Sequence, residues 1–217
     1  MEGTIAMTSI TPPGTTTPVR ISFAARSRWR IVDIVVASVV GVALGLVFVA
    51  WDQLYVPATA PLEAALPGLG SLTYGVWLVG GVLGGLIIRK PGAAIYVEIL
   101  AATVEGLLGA KWGFLTLEAG LVQGLGAELV FLAFLYANWR LYVAVFAGAA
   151  SGLTMAANDL VLSYAGAAPL FGIVYTVCAV ISGSVIAGLG SWWLVRGLAR
   201  TGVLSRFAAG REIAKRV

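Results

Sequence analysis

From position 31 onward the chain is a succession of apolar runs close to twenty residues long, separated mostly by short polar links. Six stand out: Ile31 to Trp51, Leu72 to Ile88, Ala93 to Ala110, Phe114 to Ala137, Leu141 to Tyr164 and Leu170 to Leu198. A helix rising about 1.5 Å per residue needs about 20 such residues to cross the hydrocarbon, and none of the runs alternates with period two as barrel strands do. The pattern predicts an all-α integral membrane protein, a six-transmembrane-helix bundle over residues 28–198. The link from Asp52 to Ser71 is longer than the rest and holds Pro57, Pro61 and Pro67, so it reads as an outer loop lying as a lid over the mouth of the bundle. "RKPGA", with Pro91 where the third helix begins, reads as the tight turn of an antiparallel hairpin. Residues 1–27, rich in Thr and Pro, read as a disordered cytoplasmic tail and not a signal peptide, and 199–217 as a basic amphipathic tail on the inner leaflet.

Small residues recur at four-residue spacing within these runs. Ala37, Gly41 and Gly45 make such a stripe on the first helix, and Gly80/Gly84, Gly81/Gly85, Gly120/Gly124 and Gly148/Gly152 repeat it. Lipid supplies no hydrophobic force between helices, so stripes of this kind mark close backbone packing. On the first helix the alternative is a docking surface for another membrane protein.

Composition agrees with the pattern. Hydrophobic residues make up 59% of the 217 and charged residues only 11%, against about 25% in soluble domains. If the N-terminus is cytoplasmic, every Lys and Arg of the six-helix region and the tails falls inside except Lys111, which places both termini in the cytoplasm. The net charge of +4 is then a topology signal, with no basic surface left for nucleic acid. A lone Cys178 and the absence of His argue against disulfide, zinc and haem chemistry, and no cofactor is expected. No G-x-x-x-x-G-K-[ST] occurs, a Ser-His protease is excluded and no second Asp faces Asp159 as a dyad, so an enzyme is disfavoured.

The polar residues inside the runs carry the chemistry. An ionisable group at the bilayer centre costs at least about 2.5 kcal/mol, so each calls for a partner or a wet cavity. Five acids qualify: Glu98, Glu105, Glu118, Glu128 and Asp159. Glu105, Glu118 and Asp159, with Asn158, lie about one turn from the outer ends of their helices, at the depth of Trp51, Tyr74, Trp77, Trp112 and Tyr175. Carboxylates among aromatic rings suit a flat, cationic or amino-substituted heterocycle, although an interfacial aromatic belt also accounts for Trp51 and Trp112. Residues five apart on a helix differ by about 140°, so Glu118, Gln123 and Glu128 have separate tasks: pocket, pocket floor, and hydrogen bonds between helices. Glu98, nearer the inside, reads as structural, and Asp33 as a neighbour of Arg30. Two mechanisms remain open, a self-sufficient proton-coupled carrier or the binding subunit of a transporter energised elsewhere. Six helices without an inverted repeat favour the second.

Three stretches, "RWRIVDIVVASVVGVALGLVF" from Arg28, "YGVWLVGGVLGGLIIRKPGAA" from Tyr74 and "LLGAKWGFLTLEAGLVQGLGAELVF" from Leu107, resemble the YkoE-type substrate-binding (S) components of energy-coupling factor (ECF) vitamin transporters. The resemblance spans nearly everything from Arg28 to Arg196. It implies a bacterial cell-membrane subunit that captures thiamine or its hydroxymethylpyrimidine precursor and topples to deliver it inward, with a transmembrane coupling subunit and two cytoplasmic ATPases. It further implies that the stripe Ala37, Gly41, Gly45 docks on the coupling subunit, with glycines where the family motif has alanines.

Overall fold

The computed structural model describes residues 28–214, and these are helical throughout, without strands among them. The tail assigned to residues 1–27 lies outside the described residues. Helix α1 runs Ile31–Ala65, and a 3₁₀ segment Leu69–Val76 leads into α2, Val79–Ile88. Then follow α3 Ala93–Leu107, α4 Phe114–Ala133, α5 Leu141–Leu162 and α6 Pro169–Ser182. A π-helical stretch Gly183–Gly190 joins α6 to α7, Ser191–Arg200, and α8, Ala208–Ala214, ends the described chain.

Among the described residues, five helical segments are long and apolar enough to cross a membrane: Ile31–Ala65, Leu69–Ile88, Phe114–Ala133, Leu141–Leu162 and Pro169–Arg200. Helix α3, one of the six expected spans, has only 15 residues and ends where the chain turns through Gly109 at φ 103°. Helix α2 is the axis of the bundle, with Gly80 through Ile88 all buried and contacts to helices on every side.

The expected outer loop after Asp52 is mostly helix. Helix α1 continues through Pro57 and Pro61 to Ala65, giving a 35-residue rod about 50 Å long that projects past the hydrocarbon thickness. Proline removes a backbone donor, and here the Thr59 hydroxyl reaches back to the carbonyls of Tyr55 (2.8 Å) and Val56 (3.2 Å). The reversal after Ala65 is held by Glu63, whose carboxylate accepts from the backbone N–H of Gly68 (3.0 Å) and Gly70 (2.9 Å).

The stripe Ala37, Gly41, Gly45 packs inside the chain, as the way α1 is turned shows. All three are buried, and a Cβ on Gly41 would meet Leu100 at 3.0 Å while one on Gly45 would meet Val104 at 2.6 Å. The stripe seats α1 against α3, while Val35, Val39, Val42 and Leu46 of the same helix are exposed. The other small-residue stripes likewise serve packing inside the chain, Gly124 against Ile95 and Gly152 against Val180. Beyond α7, Leu204 and Phe207 are buried in the core cluster, so the first part of the C-terminal tail folds back onto the bundle.

At the end of the bundle rich in Lys and Arg, buried Asp33 receives hydrogen bonds from the Arg30 backbone (2.8 Å) and guanidinium (2.7 Å) and pairs with Lys90 at 2.9 Å. Glu128 does the interhelical work expected of it. Its carboxylate caps α3 by accepting from the backbone N–H of Gly92 (2.6 Å) and Ala94 (2.9 Å), and it accepts from the Tyr136 hydroxyl (2.6 Å). Burial and that carboxylate push the Tyr136 hydroxyl above its ordinary pKa, so it remains a donor across the physiological range. A Glu128→Gln chain keeps the shape but turns an NH2 group toward buried donors. It is expected to lose about 1–3 kcal/mol of stability, read as a lower unfolding temperature in detergent, and Glu128→Ala more.

Candidate functional site

Opposite the basic end, the turns of α3, α4, α5 and α6 splay around a cavity of about 170 Å³, bordered by the extension of α1 and the link 108–113. One side is aromatic. Trp77 is its hub, with ring centroids 5.2 Å from Tyr55, 5.4 Å from Tyr74 and 5.7 Å from Trp112, each pair edge to face. Tyr74 continues to Tyr175 at 5.9 Å, and Tyr175 to Tyr164 at 5.3 Å. Edge-to-face pairing leaves ring faces free to receive a planar ligand.

The other side is acidic. Glu118 on α4 accepts from the Asn158 amide on α5 at 3.0 Å, and Asp159 accepts from the Tyr175 hydroxyl at 2.6 Å. Glu105 on α3 completes the set. Gln123 and Met155 form the floor, where the Ser151 hydroxyl fixes α5 to α4 through the Gln123 backbone carbonyl at 2.8 Å. No Lys or Arg lines the cavity among the described residues. The nearest ammonium is that of Lys111, exposed at the mouth and 4.6 Å from the centroid of the Tyr55 ring. Three carboxyl groups and a cage of π faces without a basic side chain create a field and a surface suited to an organic cation, while the orienting amide and phenol can match ring nitrogens or an amino group.

The structure brings together Glu105, Glu118, Gln123, Asn158, Asp159, Tyr74, Trp77, Trp112 and Tyr175 around this cavity. Trp51 is not among the lining residues: it stands beside Trp77, 6.4 Å away ring to ring, with its indole nitrogen buried. Glu98 touches the inner wall, yet its carboxylate is fully buried and accepts from the Gly81 backbone N–H, which is the structural task expected of it. Sequence reasoning passed over Tyr55, Tyr164, Phe48, Thr116 and Met155, which also line the cavity. Tyr55 lies in the proline-containing segment that the sequence marks as a loop, so no helical spacing ties it to the cavity.

Residues 32–154 match the family described as the permease component of an ABC-type cobalt transport system. YkoE of Bacillus subtilis (strain 168), named as an HMP/thiamine permease protein, is 36% identical over 194 residues, 87% of this chain and 94% of YkoE. A crystal structure of an S component of an ECF transporter superposes with a TM-score of 0.79 at 36% identity, over 87% of this chain and 95% of that one. The cavity, the multi-pass helical bundle and these relatives converge on a transport subunit and not an enzyme. The chain belongs to the YkoE-type S components of ECF transporters.

Proposed function

We propose that this chain captures thiamine or its hydroxymethylpyrimidine precursor in the acidic, aromatic cavity and passes it inward together with a transmembrane coupling subunit and two cytoplasmic ATPases. The observation that carries this reading is the joining of ring faces and unneutralised carboxyl groups in one cavity at the end of the bundle remote from the arginines. Thiamine has a permanently charged thiazolium and an aminopyrimidine. The first answers to the carboxylates and the Trp77 and Tyr55 faces, the second to the Glu118–Asn158 and Asp159–Tyr175 pairs. In a bacterial cell membrane, α3 with its flanking links serves as a sixth crossing, both termini lie in the cytoplasm as the positive-inside rule requires, and the cavity opens outward. The subunit then turns over in the membrane to present its ligand inside.

Titration calorimetry on the detergent-solubilised chain, without partners or ATP, tests this. Tight binding of thiamine or of hydroxymethylpyrimidine is expected, and no binding of either by a folded chain would sink the reading. A Glu118→Gln chain is expected to bind thiamine about tenfold more weakly, roughly 1.4 kcal/mol. Unchanged affinity would remove Glu118 from the ligand's contacts.

A further inference from the structure

Beside the cavity lies a buried acid that its lining does not include. Asp52, on α1, is 3% exposed, and Glu105, on α3, is equally buried. Their carboxyl groups adjoin each other and the Trp77 indole. The contacts are not well-aligned hydrogen bonds: Oδ1 of Asp52 and Nε1 of Trp77 are both buried without a satisfied partner, as is Nε1 of Trp51. Trp77 is itself 8% exposed, so its unpartnered donor is a second polar group turned toward the carboxyl pair.

The surroundings leave the pair electrically incomplete. The Lys111 ammonium, in the link 108–113, attracts the Asp52 carboxyl group from a distance, but it is exposed and placed over the Tyr55 ring and forms no ion pair with either acid. Glu98 lies about two turns further along α3, and Glu118 and Asp159 line the same cavity from α4 and α5. Trp77, whose indole adjoins both carboxyl groups, is a neutral donor. Two carboxylates side by side in a low dielectric with further acids nearby repel, and the arrangement that relieves this is one proton between two carboxyl groups, as in carboxylate dyads. An indole N–H pointed at the pair is compatible with a single negative charge there and supplies no positive one.

We propose that Asp52 and Glu105 form a proton-exchange site beside the ligand cavity: the unliganded protein holds one proton on the pair, and an organic cation entering the cavity displaces it. The carboxyl O–H bond breaks, the proton passes to water at the mouth, and the resulting carboxylate of Glu105 faces the ligand's positive ring. The charge of the site is the same before and after. The acid pair thus favours a permanently charged ligand over a neutral one of similar shape, because only the charged one takes the place of the proton. This rests on the cavity being the thiamine site.

The test is calorimetry on the full chain near neutral pH in buffers of low and high ionisation enthalpy, phosphate and Tris. Thiamine binding is expected to release about one proton, seen as a binding heat that changes with the buffer, and hydroxymethylpyrimidine binding none. Asp52→Asn is expected to abolish the release on thiamine binding. Thiamine binding with the same heat in every buffer would overturn the proton-exchange site while leaving the cavity assignment intact. Release of one proton that persists in Asp52→Asn would move the source to Glu118 or Asp159 and overturn it as well. No thiamine binding would overturn the exchange site, and no binding of either ligand would reject the cavity assignment with it.

Discussion

A Gly148→Ala chain is expected to be destabilised by about 3 kcal/mol, and a Gly148→Leu chain to yield no folded protein. Gly148 lies on α5 where that helix touches the π-helical stretch, and a Cβ there would collide with the Gly183 carbonyl oxygen and stand 2.7 Å from the Gly188 nitrogen. The obstacle is backbone on both sides, since a Cβ on Gly183 would in turn strike the Gly148 carbonyl. Rotamer changes cannot relieve a clash of this kind, and separating the helices would forfeit the contact that replaces the missing hydrophobic force in lipid. It would also disturb Ser182, whose hydroxyl accepts from the Gly75 N–H at 2.8 Å and donates to the Leu72 carbonyl at 2.6 Å, fixing the 3₁₀ segment that carries Tyr74. Gly197 in α7 serves as the control. No atom lies within 4 Å of a Cβ there, and Gly197→Ala is expected to be neutral or to stabilise by up to about 1 kcal/mol through helix propensity alone. Thermal unfolding in detergent, followed by circular dichroism, reads both. Equal unfolding temperatures for Gly148→Ala and the parent chain would show that α5 and the π-helical stretch can separate freely.

Much of this arrangement is written in the sequence, and the exceptions have physical causes. The apolar runs dictate helices because lipid leaves backbone groups no other partner. The 140° steps from Glu118 to Gln123 to Glu128 separate these side chains around α4, and Glu128 meets the first turn of α3 while Glu118 meets Asn158 of α5. What the sequence conceals is which neighbour a face meets. Ala37, Gly41 and Gly45 read equally well as an internal seam or a docking surface, and the sequence does not show that Leu100 and Val104 lie against them. Pro57 and Pro61 look like helix breakers, yet α1 continues through both to Ala65. Misreading those prolines hid Asp52 and Tyr55, one the buried partner of Glu105 and the other part of the aromatic cage. Trp51 shows the limit of depth as a guide, since it shares the level of the cavity but not its face.

Replacing Trp77 by alanine is expected to weaken thiamine binding by at least about a hundredfold, roughly 2.7 kcal/mol, the largest loss of any single cavity residue. Trp77 is the one ring in contact with Trp51, Tyr55, Tyr74 and Trp112 alike, so truncating it removes a π face and frees four other rings to move. It also takes the indole from beside Asp52 and Glu105, leaving those carboxyl groups open to water. A large-to-small change at a residue 92% buried costs fold stability too, about 3–5 kcal/mol, so loss of binding by Trp77→Ala alone would not separate the two roles. Trp77→Phe separates them. It keeps a ring face and most of the packing while deleting the N–H, and is expected to bind about tenfold more weakly with a small change in unfolding temperature. Trp51→Ala gives the opposite signature, since Trp51 supports Trp77 from outside the cavity: the unfolding temperature falls, while affinity drops by less than about tenfold. Equal affinity losses for Trp51→Ala and Trp77→Ala would mean that the aromatic cage acts as one cooperative unit, and the division between a ring that meets the ligand and a ring that backs it would have to be abandoned.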